Sequence, residues 1–371
     1  MTLRRLGALA VITVLVLASC SSSGPKPAAT PSTAPSTTVA PPKRVAAEPG
    51  KFSVDGTTIT GPDGQPFVPV GANMLGPESF WATSTIGLSG TAKQWGFNTI
   101  RLNTCLPGGC DGLGAAWPIN DDLDAIVREY TAAGLVVMIE MHQVKPGAFP
   151  EGAELERIKR WWTDVASRFA GNPYVWFNLL NEPGEGQPAP AAWRDVHRSL
   201  IDAVRGTGAN NIIVLDGTQF GQDAGTYDAD PVLTENSAIL TYGPQLAADT
   251  GNLVFSVHTY DQFGVPGTDA ERDARLGGLL DRIHAASLAV LIGEAGGSTD
   301  TADARTLGAL TAFRVAPPRG VGILAWHAQP GDEFFLTGSG PFDAIDNDTA
   351  PTNLTPIGDA LWNLGAPNRH P

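Results

Sequence analysis

Two short stretches of this sequence hold the residues most suited to acid–base chemistry. Residues 178–183 read NLLNEP and residues 289–296 read AVLIGEAG. Each joins an apolar run of strand length to one carboxylate, Glu182 or Glu294. A carboxylate is costly to desolvate and is seldom buried without a partner. Two of them across a cleft can take complementary roles. One, protonated, gives its proton to a leaving oxygen, and the other, ionised, attacks carbon or activates water. Hydrolysis of a glycosidic bond needs that pair. A second negative charge close by raises the pKa of the acid member, while hydrogen-bond donors keep its partner ionised.

Further polar and aromatic groups end similar runs: Arg101 and Asn103, His142, Asn181 beside Glu182, His258 and Tyr260, and Trp326 and His327. Singly, each has a purely structural reading. Arg101 makes a salt bridge, His142 or His258 is a satisfied core histidine, and Tyr260 caps the core with its hydroxyl outward. Trp326 packs, and Asn181 caps a helix with Pro183 in its first turn. The two isolated carboxylates are what these readings leave unexplained.

The elements that must position these groups are eight apolar runs: 67–74, 98–103, 136–142, 175–183, 211–217, 253–260, 289–296 and 320–328. They are apolar nearly throughout, as parallel strands buried on both faces are. Segments of helical period lie between most of them, at 119–134, 154–171, 191–208, 269–288 and 301–315; between the fifth and sixth runs the pattern is less clear. Eight such alternations predict a (β/α)₈ TIM barrel, whose active site lies at the C-terminal strand ends. A doubly wound sheet would place a Gly-rich phosphate turn after its first strand; the sequence there is GANMLGPES. Residues 51–66 read as a short β-hairpin with Asp-Gly turns.

The ordered set Arg101, His142, Asn181–Glu182, His258–Thr259–Tyr260, Glu294 and Trp326 resembles the site of glycoside hydrolase family 5, cellulases and β-mannanases of the clan of (β/α)₈ retaining glycosidases. The resemblance covers roughly residues 51–371. It implies Glu182 as acid/base and Glu294 as nucleophile, with net retention. Tyr260 and Arg101 would donate to Glu294, and His258 would lie near Glu182. Asn181 would bond the sugar 2-hydroxyl, His142 would contact other hydroxyls, and Trp326 would offer its face to the ring. No metal or organic cofactor is implied. The expected substrate is a neutral β-1,4-glucan or β-mannan. The alternatives are another glycosidase of the clan, acting on β-1,3-glucan or a glycoside, and a sugar-binding lipoprotein without catalysis. Trp81, Trp117, Phe149, Phe220, Phe263, Phe334 and Phe335 fall in or near predicted loops, where some would stack sugars and others pack. His327 and Gln329 are further subsite candidates. No appended carbohydrate-binding module is expected.

The N-terminus reads as an export signal. Arg4 and Arg5 precede an apolar run from Leu6 to Leu17, too short to span a bilayer comfortably. It ends in LASC, which resembles a bacterial lipobox with Cys20 as the lipidated residue; the bland reading is an ordinary secretory signal. Residues 21–50 are rich in Ser, Pro, Thr and Ala and predict a disordered spacer, leaving 51–371 as the catalytic domain. The expectation is a cell-surface lipoprotein, held to the membrane only through that lipid, and a monomer. Export places Cys105 and Cys110 in an oxidising compartment, where a short disulfide across CLPGGC competes with a pair of free thiols. With a net charge of −14, nucleic acid and anionic membrane surfaces are poor partners.

Overall fold

The computed structural model describes residues 50–75, 85–106, 121–142, 149–184, 190–223, 237–328, 336 and 349–369. A two-stranded antiparallel hairpin, β1 (Ser53–Asp55) and β2 (Thr58–Thr60), comes first. Eight further strands follow: β3 (Val70–Leu75), β4 (Thr99–Thr104), β5 (Val136–Met141), β6 (Val175–Asn178), β7 (Ile213–Asp216), β8 (Leu253–Thr259), β9 (Val290–Gly296) and β10 (Gly322–Trp326). They close into a barrel in chain order, every pair parallel. The helices are α1 (Ser89–Gln94), α2 (Asp121–Ala132), α3 (Gly152–Phe169), α4 (Pro190–Arg205), α5 (Ala238–Thr250), α6 (Asp269–Ala285), α7 (Ala304–Val315) and α8 (Pro356–Gly365). One follows each barrel strand, the (β/α)₈ fold expected from the alternation.

Strand residues alternate between two environments, as the period of two requires. On β5, Val137, Ile139 and Met141 join the shell beneath the helices. Val136 and Met138 point inward with Trp176, Val214, Val254, Leu291 and Leu324. The hairpin supplies Phe52 and Ile59 to this inner cluster, and Phe52 meets Trp176 edge-on with centroids 5.3 Å apart. Further along the same inward rows the residues become polar: Arg101, Glu140, Asn178 and Asp216, all buried.

Amphipathic helices tie down the polar ends. In α3, Ile158, Trp161, Trp162, Val165 and Phe169 recur at helical spacing and are buried. Trp162 Nε1 donates to the Leu179 carbonyl at 3.0 Å, holding the segment after β6. Trp193 Nε1 of α4 donates to the Asp216 carbonyl at 2.8 Å, holding the end of β7.

Three boundaries differ from the sequence reading. The first barrel strand begins at Val70, not 67, because Pro66 and Pro69 have no N–H for a ladder and Phe67 pairs with Ile59 of the hairpin at 2.8 Å. Ladder pairing of β6 stops at Asn178, so Asn181 and Glu182 stand beyond the strand. The unclear segment before the sixth barrel strand holds α5, which carries Pro244 and a weak apolar stripe. No helix among the described residues is long and apolar enough to cross a membrane. The proposed signal, Cys20, the spacer up to residue 49 and Cys110 lie outside the described residues; Cys105 is disulfide-bonded.

Candidate active site

Arg101, fully buried on β4, is the hub of the polar layer. Its Nε donates to Asn178 Oδ1 at 2.7 Å. Nη1 donates to Asn73 Oδ1 at 2.8 Å and Glu294 Oε1 at 2.7 Å. Nη2 donates to Asn181 Oδ1 at 2.8 Å and Asp216 Oδ2 at 3.0 Å. The planar fork of a guanidinium suits this spread of acceptors. Burial disfavours its charge, but Glu140, Asp216 and Glu294 outweigh that and raise its pKa.

Glu294, on β9, accepts on both oxygens: from Arg101 on Oε1, and from the Tyr260 hydroxyl on Oε2 at 2.6 Å. Donors on both oxygens favour the ionised form. Burial raises this carboxyl above the ordinary glutamate value, and the charges of His258 and Arg101 oppose the rise. Burial and the neighbouring Glu294 hold the Tyr260 phenol well above its usual pKa, so it remains a donor.

Glu182 faces it. Oxygens of the two carboxyl groups and a ring nitrogen of His258 lie within 4.8 Å of one another. That is near the roughly 5–5.5 Å of retaining glycosidases and well under the roughly 6.5–9.5 Å of inverting ones. Glu182 is the more accessible, its side chain 21% exposed against 4% for Glu294. Its backbone is left-handed, with φ of 45°, which costs a non-glycine residue about 1–2 kcal/mol. This turn after the strand aims the side chain into the mouth.

His258, buried on β8, places Nδ1 2.8 Å from Glu182 Oε1 and 3.5 Å from Glu294 Oε2. Its Nε2 lies 3.2 Å from Asp216 Oδ2, an ion-pair distance without good hydrogen-bond alignment. Burial opposes the ring's charge, but Glu294 and Asp216 carry its pKa up to about 10. Burial pushes Asp216 up, yet His258 and Arg101 hold it well below the usual carboxylate range.

Glu182, Glu294 and Tyr260 open onto a cleft of about 320 Å³ lined also by His142, Asn181, Phe220, Gln222 and Trp326. The His142 and Trp326 rings are nearly parallel, 12° apart with centroids at 5.6 Å. The Trp326–His327 peptide is cis. Because Arg101 donates to Asn181 Oδ1, the Asn181 amide nitrogen is the group left for the cleft. His142 Nδ1 sits 3.1 Å from Glu140 Oε2, leaving Nε2 outward. Burial lowers the pKa of this ring, but Glu140 outweighs it and the net direction is up.

The sequence profile described as cellulase (glycosyl hydrolase family 5) matches residues 61–332. The chain belongs to glycosyl hydrolase family 5. It is 24% identical over 248 residues to a mannan endo-1,4-beta-mannosidase of Cellvibrio japonicus, covering 66% of this chain and 51% of that protein. The chain thus matches about half of that relative's length. It is 28% identical over 183 residues to endoglucanase 1 of Robillarda sp., covering 48% and 45% of the two chains. The catalytic domain of a mannanase from Streptomyces sp. SirexAA-E superposes with a TM-score of 0.64 at 23% identity, covering 85% of this chain and 90% of that one. That last likeness is one of fold.

In this family 5 chain the structure gathers all eight residues singled out in the sequence: Arg101, His142, Asn181, Glu182, His258, Tyr260, Glu294 and Trp326. Of the loop aromatics, Phe220 lines the cleft, Phe263 is wholly buried and Phe149 packs on the core beside Gly184. His327 is buried. Trp81, Trp117, Gln329, Phe334 and Phe335 lie outside the described residues. Sequence reasoning missed Asn73, Glu140, Asn178 and Asp216, which surround Arg101. A signal existed: counting back by two from His142 gives Glu140, and Asp216 ends an apolar run just as Glu182 does. Glu182, His258 and Glu294 are also the one group among the described residues close enough to share a metal ion. Both ring nitrogens of His258 face carboxylates, though, so a cation would have to displace a proton from it.

Proposed function

We propose that this chain is a retaining endo-β-1,4-glycanase acting on a neutral β-glucan or β-mannan by double displacement. One observation carries the reading: Glu294, clamped between Arg101 and Tyr260, stands at retaining distance from the more accessible Glu182.

In the first step a Glu294 oxygen attacks the anomeric carbon. The bond to the leaving oxygen breaks, and that oxygen takes the proton of Glu182. A glycosyl ester on Glu294 results. In the second step water attacks the same carbon and gives a proton to Glu182, and Glu294 departs as carboxylate. Arg101 and Tyr260 orient the attacking oxygens. The free amide hydrogens of Asn181 are placed to bond a hydroxyl beside the reacting carbon, a contact that tightens in the transition state. Trp326 and His142 offer the flat walls against which a sugar ring packs.

The relatives named above are a mannan endo-1,4-beta-mannosidase and an endoglucanase, which supports an internal β-1,4 linkage in one of these two polymers. Reducing-sugar release from a soluble cellulose derivative and from a galactomannan tests this, with Glu294→Gln as control. Release from neither polymer sinks the reading. For the cellular setting we propose export, lipidation at Cys20 and a monomeric domain standing off the membrane on residues 21–50. Mass spectrometry of the mature N-terminus tests it; an unmodified N-terminus beyond Cys20 would sink the anchor.

A further inference from the structure

His258 is more constrained than a histidine that merely touches an acid. Both of its ring nitrogens face carboxylate oxygens: Glu182 and Glu294 at Nδ1, Asp216 at Nε2. Asp216 at Nε2 and Glu294 at Nδ1 are the carboxylates ionised in the free enzyme, and an ionised carboxylate only accepts, so a ring that faces one with each nitrogen carries hydrogen on both. The ring is also packed closely against two glycines. A Cβ on Gly221 would lie 2.5 Å from His258 Cγ, and one on Gly293 would lie 3.1 Å from His258 Nε2. The slot between the β7 loop and β9 therefore depends on two glycines. The His258 N–H donates to the Gly221 carbonyl at 2.9 Å. Asp216 is fixed in turn by Asn178 at 2.9 Å and Arg101 at 3.0 Å, and its Oδ2 also lies 3.4 Å from the Glu182 backbone N–H that points to it. The charged or titratable groups facing the ring are thus Glu182 after β6, Asp216 on β7 and Glu294 on β9. Arg101 and Tyr260 stand behind them on Glu294.

We infer that Asp216 is a positioning residue that keeps His258 a fixed cation, and that this cation neutralises one negative charge as it alternates between Glu294 and Glu182. The inference rests on the double displacement proposed above. In the free enzyme Glu294 is ionised and Glu182 holds the proton. After the first step Glu294 is an ester and Glu182, having given its proton to the leaving oxygen, is the anion. When water returns a proton to Glu182, Glu294 leaves as carboxylate again. One negative charge is present throughout, and a single Nδ1–H lies within reach of both sites it occupies. No ring motion is needed. The cation stabilises whichever carboxylate is ionised, so neither step has to bring a countercharge into a buried site.

The wild-type protein supplies the first test. With 15N-labelled histidine, the ring of His258 is followed by NMR from about pH 5 to about pH 8, a span that brackets the ordinary imidazole pKa of about 6.5. It is followed in the free enzyme and after trapping with a 2-deoxy-2-fluoro glycoside of the accepted sugar. Both nitrogens should stay protonated in both states, and a neutral ring in either overturns the inference. Asp216→Asn is the second test. His258 should then titrate near the ordinary value. Turnover of a dinitrophenyl glycoside, limited by the second step, should fall by roughly 10- to 100-fold, the scale seen when the partner that orients a metal-binding histidine is removed. The deficit should grow as pH rises. An unchanged kcat and pH profile overturn the role of Asp216. If the variant does not fold, the wild-type measurement decides. Failure of the fluoro sugar to label any protein sinks the proposed reaction and this role together; labelling with a neutral ring sinks this role alone.

Discussion

The inside of the barrel has two storeys built on the same strands. The lower one, closed by the hairpin, is aromatic and aliphatic: Phe52, Met138, Trp176, Val214 and Leu324. The upper one is charged: Arg101, Glu140, Asp216, His258 and Glu294, all nearly or wholly buried. On β5 the change takes one inward step, from Met138 to Glu140. The lower storey gains from burial alone. The upper storey desolvates ions, which seldom improves stability over an apolar filling. The difference shows where the molecule gives up stability for chemistry: the ion network holds reacting groups in place, while apolar burial in the storey beneath it and in the shell under the helices supplies the folding energy.

The comparison can be broken most directly at Glu294. Glu294→Gln should abolish measurable hydrolysis while the fold survives, because the amide oxygen still accepts from Arg101 and the amide N–H can donate to the Tyr260 oxygen; collapse of the fold would put this residue in the lower storey's class. Glu182→Gln should lower oligosaccharide hydrolysis by roughly 10²–10⁴-fold, the usual worth of a general acid. Added azide should restore turnover of a dinitrophenyl glycoside, and absence of rescue would argue against its role. In the lower storey, Trp176→Ala should cost about 3–5 kcal/mol of stability by cavity formation. Measured by denaturant unfolding, it should leave the pH profile of kcat unmoved in the fraction that folds.

A smaller effect separates the storeys by pH. The folded pKa of His258 is raised to about 10, above an unfolded value of about 6.5. Its contribution is therefore complete below about pH 6.5 and is lost as pH rises towards about 10. Asp216 is depressed when folded, so its contribution is present above the unfolded value of about 3.9 and is lost as pH falls below that. Chemical denaturation across this range should show stability falling at both ends. His258→Gln should flatten the alkaline limb, whereas a lower-storey change such as Leu324→Ala should shift the whole curve without altering its shape. An alkaline limb unaltered by His258→Gln would place the titration elsewhere.

Much of this was legible in the chain itself. Eight apolar runs with helices between them imply a closed parallel barrel, and strand ends imply a site. Glu182 and Glu294 stood out because nothing apolar explains a carboxylate there. The partners of Arg101 were less legible. Asn178 and Asp216 look like ordinary polar residues at strand ends until closure brings them within 3.0 Å of one guanidinium. The helix α5 was obscured by Pro244 and its weak stripe.

Residue identities and their periods of 2.0 and 3.6 are local, so the sequence alone determined the strands, their order and, wherever the alternation is unbroken, the face each side chain takes; on β9 a register shift after Ile292 turns Glu294 inward. Which groups meet was decided by tertiary structure. The Arg101–Glu294 contact spans 193 residues and the His258–Glu182 contact spans 76. Those distances depend on the register at which eight strands close, a property of the whole ring and of no single segment.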